Sequence, residues 1–501
     1  MKRYGLWILL LALAACTPGG WRDAAPSAEA PVLYPDYTDI VVPCNIAPMN
    51  FNVLNSADAC VAVLSGPDRE MVLRGPEIRI PEKAWRRMTA SARGGAIRGT
   101  VYVRRSGQWI RLPDFQMEVS ADEIDPYVTY RLIEPGYSSY GSLVLRQRDL
   151  TSFRERDLYN NQLISGRVEQ QCINCHSFQN YRAENFQFHA REAAGGTVVV
   201  TGEQGKKVAF KTGDLISNAV YPSWHPTEPL IAYSVNKTAQ NFFRSDRQKI
   251  EVYDSASDLI LYDVQQDQVS YIVHDSLAYE TFPYWSADGK TLYYASSYLP
   301  DWGADASTNP YQLTDRIRYN IFSVDFNPRT REFGTPRLVF DAVADSLSAV
   351  TPRPSPDGRF LLSGVGNYGS FHVWHNSGDL YLTNLATGET RPMDEINSNK
   401  AESFKAWSSN SRWIVFTSRR DDGSYTRLYF THFGPDGHAT KPFLLPQRDP
   451  DQNRRLFKSY NVPEFTVDQV QWSTKRLEDI LLSPPVQVQQ LSHQINNSQN
   501  Q

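Results

Sequence analysis

The sequence predicts a mainly β chain: an N-terminal β-sandwich-like domain, a short helical segment carrying a cysteine–histidine motif, and a C-terminal propeller of four-stranded blades. Three observations carry that expectation. An internal repeat runs over residues 197–475, short alternating runs broken by turns fill 37–135, and the stretch 136–196 between them loses the alternation. With 501 residues, 41% hydrophobic and 12% aromatic, the chain exceeds what one core usually organises.

The repeat is specific. Tyr221-Pro222-Ser223-Trp224 with Ile231-Ala232-Tyr233-Ser234 is matched by Phe282-Pro283-Tyr284-Trp285-Ser286-Ala287-Asp288-Gly289 with Leu292-Tyr293-Tyr294-Ala295-Ser296. Further copies start at Thr351-Pro352 and Phe404-Lys405-Ala406-Trp407, and a fainter one is Asn461-Val462-Pro463. Each Asp-Gly stands where a tight hairpin needs positive φ. A second unit, seen at Asp258-Leu259-Ile260-Leu261 and Asp379-Leu380-Tyr381-Leu382, adds another hairpin per period, which makes four strands per blade. Asp-Gly is missing at Thr227-Glu228-Pro229 and Ser409-Asn410-Ser411, so the pattern supports five or six blades.

At the start, Lys2 and Arg3 precede an apolar run from Leu6 to Leu13 and the small pair Ala14-Ala15, which reads as a signal peptide over residues 1–16. That run is too short to span a bilayer. Residues 17–36 lack periodicity and read as a flexible tether, and 476–501 as a polar, disordered tail. Within 37–135, Gly99 to Val103 and Gln108 to Leu112 flank Ser106-Gly107 as a hairpin, and Pro81 opens a short helix. In 136–196 the composition favours helix, as at Leu150 to Leu163. A net charge of −4 without a basic run argues against a nucleic-acid partner, and no G-x-S-x-G hydrolase motif occurs.

Cys172-Ile173-Asn174-Cys175-His176 is C-x-x-C-H, the attachment signature of a c-type haem. On a helical turn, thiols three residues apart share a side, where each can form a thioether with a haem vinyl group while the next residue offers its imidazole to the iron. A Cys172–Cys175 disulfide beside an unrelated histidine, or a zinc site, would use the same residues differently. His189, flanked by Phe186 and Phe188, is the candidate second axial ligand, and Arg191 a candidate partner for a haem propionate. His225 belongs to the repeat and is the weaker candidate. His372 and His375, three apart in an expected strand, should face opposite sides. In an oxidising compartment Cys44 and Cys60 are a candidate disulfide, with two separate buried thiols as the alternative.

Leu13-Ala14-Ala15-Cys16 resembles the lipobox of bacterial lipoproteins, which implies lipidation of Cys16 and anchoring to a membrane. The S-x-D-G repeats resemble those of TolB-type β-propellers. The wider order of parts, with Ile46-Ala47-Pro48-Met49-Asn50-Phe51, Tyr130-Arg131-Leu132-Ile133-Glu134-Pro135-Gly136-Tyr137 and the C-x-x-C-H motif ahead of the repeat, resembles a group of TolB-like lipoproteins with a c-type haem motif. The resemblance implies a cell-envelope protein, on the outer membrane by preference and facing periplasm or cell surface, with covalent haem c and a propeller that docks other envelope proteins. Electron transfer or redox sensing is the implied role. The alternative is a haem-free interaction scaffold.

Overall fold

The protein is described by a computed structural model over residues 20–134, 142–162, 171–192, 194–211, 215–243, 250–298 and 314–491. Its larger part is a six-bladed β-propeller. Blade one is Gln171–Gln179, Arg182–Glu192, Gly196–Thr201 and Gln204–Ala209; blade two is Ala219–Trp224, Leu230–Phe242, Ile250–Asp263 and Gln268–Val273. Blades three, four and five begin with the inner strands Ala278–Trp285, Ser348–Pro354 and Glu402–Trp407. Blade six is composite: the C-terminal strand Ser459–Thr466 is innermost and pairs antiparallel with Tyr127–Ile133, followed by Val144–Asp149 and Glu155–Asn160. Consecutive inner strands touch around the ring, and Ser459–Thr466 returns to Gln171–Gln179. Each inner strand ends its own sheet, and closure leaves its free edge short and turned to the enclosed axis.

Each inner strand carries the same irregularity. Its register slips by one residue against the second strand, between Asn174 and Ser177, Val220 and Ser223, Thr281 and Tyr284, Val350 and Arg353, Glu402 and Lys405, and Asn461 and Glu464. These are β-bulges, with one extra residue on the inner strand. In five of them the first bulged residue is left-handed: Cys175, Tyr221, Phe282, Thr351 and Val462 have φ of 48°, 50°, 54°, 51° and 48°. Proline follows in four blades, as Pro222, Pro283, Pro352 and Pro463. Proline suits the position because a bulge strands a backbone N–H that proline does not have.

The hairpin turns match the repeat. Gly289 and Gly358 have φ of 69° and 71°, and Ser286 and Ser355 donate to Asp288 and Asp357 at 2.7 and 2.6 Å. Where Asp-Gly is missing in blade five, Ser408 donates to Asn410 at 2.6 Å and Ser411 takes φ of 60°. In blade two the imidazole of His225 does the same work, its Nδ1 accepting from Glu228 N at 2.9 Å. Both divergent turns therefore belong to complete blades, and the count is six.

The N-terminal domain is a seven-stranded and a three-stranded sheet with the helix Glu82–Ser91, which begins after Pro81 as expected. Trp85 and Met88 of that helix join one apolar core with Trp413, Phe430 and Phe443 of blade five and Tyr130 and Tyr460 of blade six. Polar contacts reinforce the seam. Ser409 Oγ donates to Asp125 at 2.6 Å, and Tyr37 donates to the Leu444 carbonyl at 3.1 Å.

Several expectations are corrected. The C-x-x-C-H segment is neither helical nor inserted between domains: Gln171–Gln179 is a strand of blade one, and the propeller starts at Tyr127 rather than near residue 197. Phe186, Phe188 and Ala190 alternate as a strand requires and pack toward Leu145, Leu158 and Tyr159 of blade six, so tertiary pairing overrides local helix propensity. Within 17–36, residues from 20 onward are packed rather than loose: Trp21 is buried and Ala25–Pro26 pairs with Gln108–Arg111. The expected disordered tail is ordered as far as 491. Helix Thr474–Leu482 packs on blade one, and Val486–Gln487 and Gln489–Gln490 add parallel to the outer strands of blades one and two.

Cys44 and Cys60 are free thiols. Cys44 follows the strand Ile40–Pro43, which two intervening strands separate from Ala59–Ser65 carrying Cys60. Three strand spacings are roughly 14 Å, beyond the ~7 Å that a disulfide spans between Cα atoms. Signal residues 1–16, including Cys16, lie outside the described residues.

Truncation after Pro446 removes the innermost strand of blade six and reopens the ring. We expect that protein to show no cooperative unfolding transition in urea, whereas the full chain does; a sharp transition in the truncated chain would mean that closure is dispensable.

Candidate functional site

The six bulges encircle the propeller axis, and their side chains line a central cavity. It has an empty volume of about 1010 Å³, counting its mouth open to solvent. Cys175 and His176 form one wall, with Tyr221, Phe282, Phe404 and Val462 contributed by the other bulges. His176 takes the position that proline holds in four blades, so blade one places an imidazole where its neighbours place an inert ring.

The imidazole is prepared electrostatically. His176 is 4% exposed, and burial, aided by the charges of Arg131 and Arg353, lowers its pKa to about 3 against a hydrogen bond to the Thr129 backbone. It is neutral at any physiological pH. Its Nε2 is buried without a hydrogen-bond partner, so the Thr129 bond falls to the other ring nitrogen. That arrangement leaves one nitrogen lone pair directed for a ligand.

The two cysteines are placed unequally. Cys175, half-buried on the cavity wall, has its carbonyl held by Gln187 Nε2 at 2.5 Å. Cys172 is buried with Ile133 and Leu143 and does not line the cavity; burial raises its thiol pKa despite the nearby Arg131 and Arg191. Both are free thiols, which corrects the alternative of a Cys172–Cys175 disulfide. Among the described residues no three His, Cys, Asp or Glu side chains converge as a metal cluster, so the zinc alternative has no ligand set there.

His189 is not brought to His176's cavity. It lies inside the sheet of blade one between Asn174 and Thr197, and its Nδ1 meets Thr197 Oγ1 at 3.0 Å. Strand alternation fixes this, since twelve residues that might have looped around a porphyrin instead form a hairpin. Arg191 does line the cavity. His225 is a turn residue, with Nε2 on the Gly289 carbonyl at 2.9 Å. His372 and His375 sit in and after a 3₁₀ turn rather than a strand, their rings 5.7 Å apart, and His375 Nε2 meets buried Glu251 at 3.1 Å.

The sequence reading missed the contribution of Arg131, Arg353 and Glu464 to the cavity. Arg353 pairs with Glu464 at 3.2 Å and stacks 4.0 Å from the Tyr284 ring. Glu464 also faces a second cavity at the other end of the axis, lined by Trp224, Trp285 and Phe178. Arg353 and Glu464 flank the bulges of blade four and of the faint last repeat, whereas Arg131 lies on the strand opposite that last bulge and is brought to the axis by ring closure.

No family model matches the chain, and no curated protein matches it. Solved structures with partial similarity include the tricorn protease, at 12% identity and a TM-score of 0.29 over 69% of this chain and 33% of that one. An oligogalacturonate lyase from Vibrio parahaemolyticus matches at 11% identity and a TM-score of 0.34, over 83% of this chain and 100% of that one. Prolyl oligopeptidase B from Galerina marginata matches at 10% identity and a TM-score of 0.35, over 64% of this chain and 44% of that one. The chain thus spans about a third of the tricorn protease and under half of a Mycobacterium tuberculosis puromycin-hydrolyzing peptidase.

Burial lowers the pKa of His176, His189 and His372 to about 3 each. An unfolded histidine titrates near 6.5, so below that pH the unfolded chain binds protons that the folded chain refuses, and stability falls as pH drops toward 3. His189→Gln should lower the urea midpoint at pH 7 by roughly 1–2 kcal/mol equivalent through its lost Thr197 bond, yet lose less stability than the parent between pH 7 and 4.5. Equal losses would show that His189 takes up a proton in the folded state.

Proposed function

We propose that this chain is a lipid-anchored cell-envelope propeller that holds a c-type haem at its central cavity for redox sensing or electron transfer. The observation that carries this reading is His176: a buried, neutral imidazole whose Nε2 is unpartnered on a wall shared with Cys175. Those atoms fit the donor set of C-x-x-C-H attachment. Cys175 would hold one vinyl group from the cavity wall and Cys172, buried with Ile133 and Leu143, the other. A haem held there would supply one-electron chemistry. The chain's own part is to orient His176 through Thr129 and to screen the site with the rings of Tyr221, Phe282 and Phe404.

Among the described residues the cavity lining has His176 as its histidine and no methionine. His189 is engaged with Thr197, so the reading no longer includes it as an iron ligand. The membrane anchor rests on the lipobox-like Leu13-Ala14-Ala15-Cys16, with the outer membrane preferred and other envelope proteins as partners of the propeller surface. Among the described residues no helix is long and apolar enough to cross a membrane.

Expressed with a cytochrome c maturation system, the protein should keep haem stain on a denaturing gel, and Cys175→Ser should lose most of it. Its spectrum should be high-spin, shift on adding imidazole, and be unchanged by His189→Ala. A parent protein that carries no covalent haem would refute the reading. Separately, Cys16→Ser should move the protein from the membrane pellet to the soluble fraction; continued pelleting in high salt would place the anchor elsewhere.

A further inference from the structure

Arg131 is 7% exposed on blade six and lines the central cavity beside His176. Its guanidinium donates to the Ile173 carbonyl at 3.2 Å and to Asn461 Oδ1 at 2.9 Å, and its Nε is buried without a partner. Neither acceptor carries a charge. Arg191 lines the same cavity from an exposed position and, among the described residues, its guanidinium makes no ion pair or hydrogen bond. Among the described residues the lining's carboxylate is Glu464, which is already paired with Arg353. Among the described residues the lining thus has three guanidinium groups and one carboxylate, and of the two unpaired guanidinium groups Arg131 is buried and Arg191 is exposed. A buried cation such as Arg131 is costly to hold without a counter-charge unless an anion completes it.

We propose that the central cavity is a carboxylate-binding site, in which Arg131 and Arg191 receive the carboxylate and the rings of Tyr221, Phe282 and Phe404 receive an apolar body attached to it. Guanidinium groups match a carboxylate in both charge and fork geometry. The carboxylate has two sources: a propionate of a haem attached at Cys172 and Cys175, or a free aromatic carboxylate. The first source rests on the haem reading; the second does not.

The test uses the full-length protein, haem-loaded and as the haem-free Cys172→Ser/Cys175→Ser variant, with benzoate as probe and benzyl alcohol as its uncharged counterpart. In the haem-free protein benzoate should raise the melting temperature and benzyl alcohol should not. Arg131→Gln and, independently, the unpartnered Arg191→Gln should each weaken benzoate binding by tenfold or more, and Arg131→Lys by less. If a haem propionate is the natural occupant, haem-loaded protein gives no benzoate shift, and Arg191→Gln alters the pH dependence of its reduction potential. If the haem-loaded protein responds to benzoate as the haem-free one does, the occupant is a free carboxylate. Should the parent carry no haem, the benzoate comparison is made on it directly. Equal effects of benzoate and benzyl alcohol, or a benzoate response untouched by Arg191→Gln, would overturn the proposal.

Discussion

Pairing between Ser459–Thr466 and Tyr127–Ile133 is the constraint on which the remaining structure depends. It joins segments more than three hundred residues apart, with Tyr127 opposite Thr466 and Leu132 opposite Tyr460. By completing blade six from both ends of the propeller sequence, it turns a row of sheets into a ring. The central cavity exists only because the ring closes. It also places Arg131, from the N-terminal part of blade six, beside Asn461 from the C-terminal part, so the cavity's charge is assembled by the closure itself.

Around that ring, six copies of one bulge set what the cavity presents. A bulge re-aims side chains that a regular strand would keep between blades, and left-handed φ at Val462 and Thr351 shows that the geometry is imposed against the preference of β-branched residues. Blade one uses the same backbone device with different chemistry. Cys175 occupies the place of Tyr221 and Phe282, and His176 the place of Pro222 and Pro283. A motif that resembles helical haem attachment is thereby displayed by a β-bulge, with the spacing of its thiols set by a strand.

Much of the fold was legible in the sequence because a propeller repeats its signals. The Asp-Gly turns, the Phe-Pro and Tyr-Pro pairs and the alternating strands after them located blades two to five. Blade one escaped because Cys175-His176 replaces the aromatic–proline pair, although Phe186, Phe188 and Ala190 alternate clearly. Blade six showed only its inner strand, as the faint copy at Asn461-Val462-Pro463, because its other strands lie far away at residues 127–160, which no local pattern reveals. For the site, the C-x-x-C-H segment could be singled out in the sequence and the structure places its Cys175 and His176 on the central cavity, while Arg131 and Glu464 needed the tertiary structure: each is an unremarkable charged residue until closure brings it to the axis. His189 was misassigned because aromatic neighbours fit a haem pocket and a blade interior equally well.

The central claim is that the bulge of blade one carries a covalent cofactor on Cys172 and Cys175 with His176 as its ligand. The most direct measurement is the intact mass of the protein matured in a cytochrome-competent host, followed by mass mapping of the peptide that contains residues 172–176. The account predicts a mass greater by one haem, carried on that peptide. An unmodified peptide with both thiols free to alkylate would contradict it.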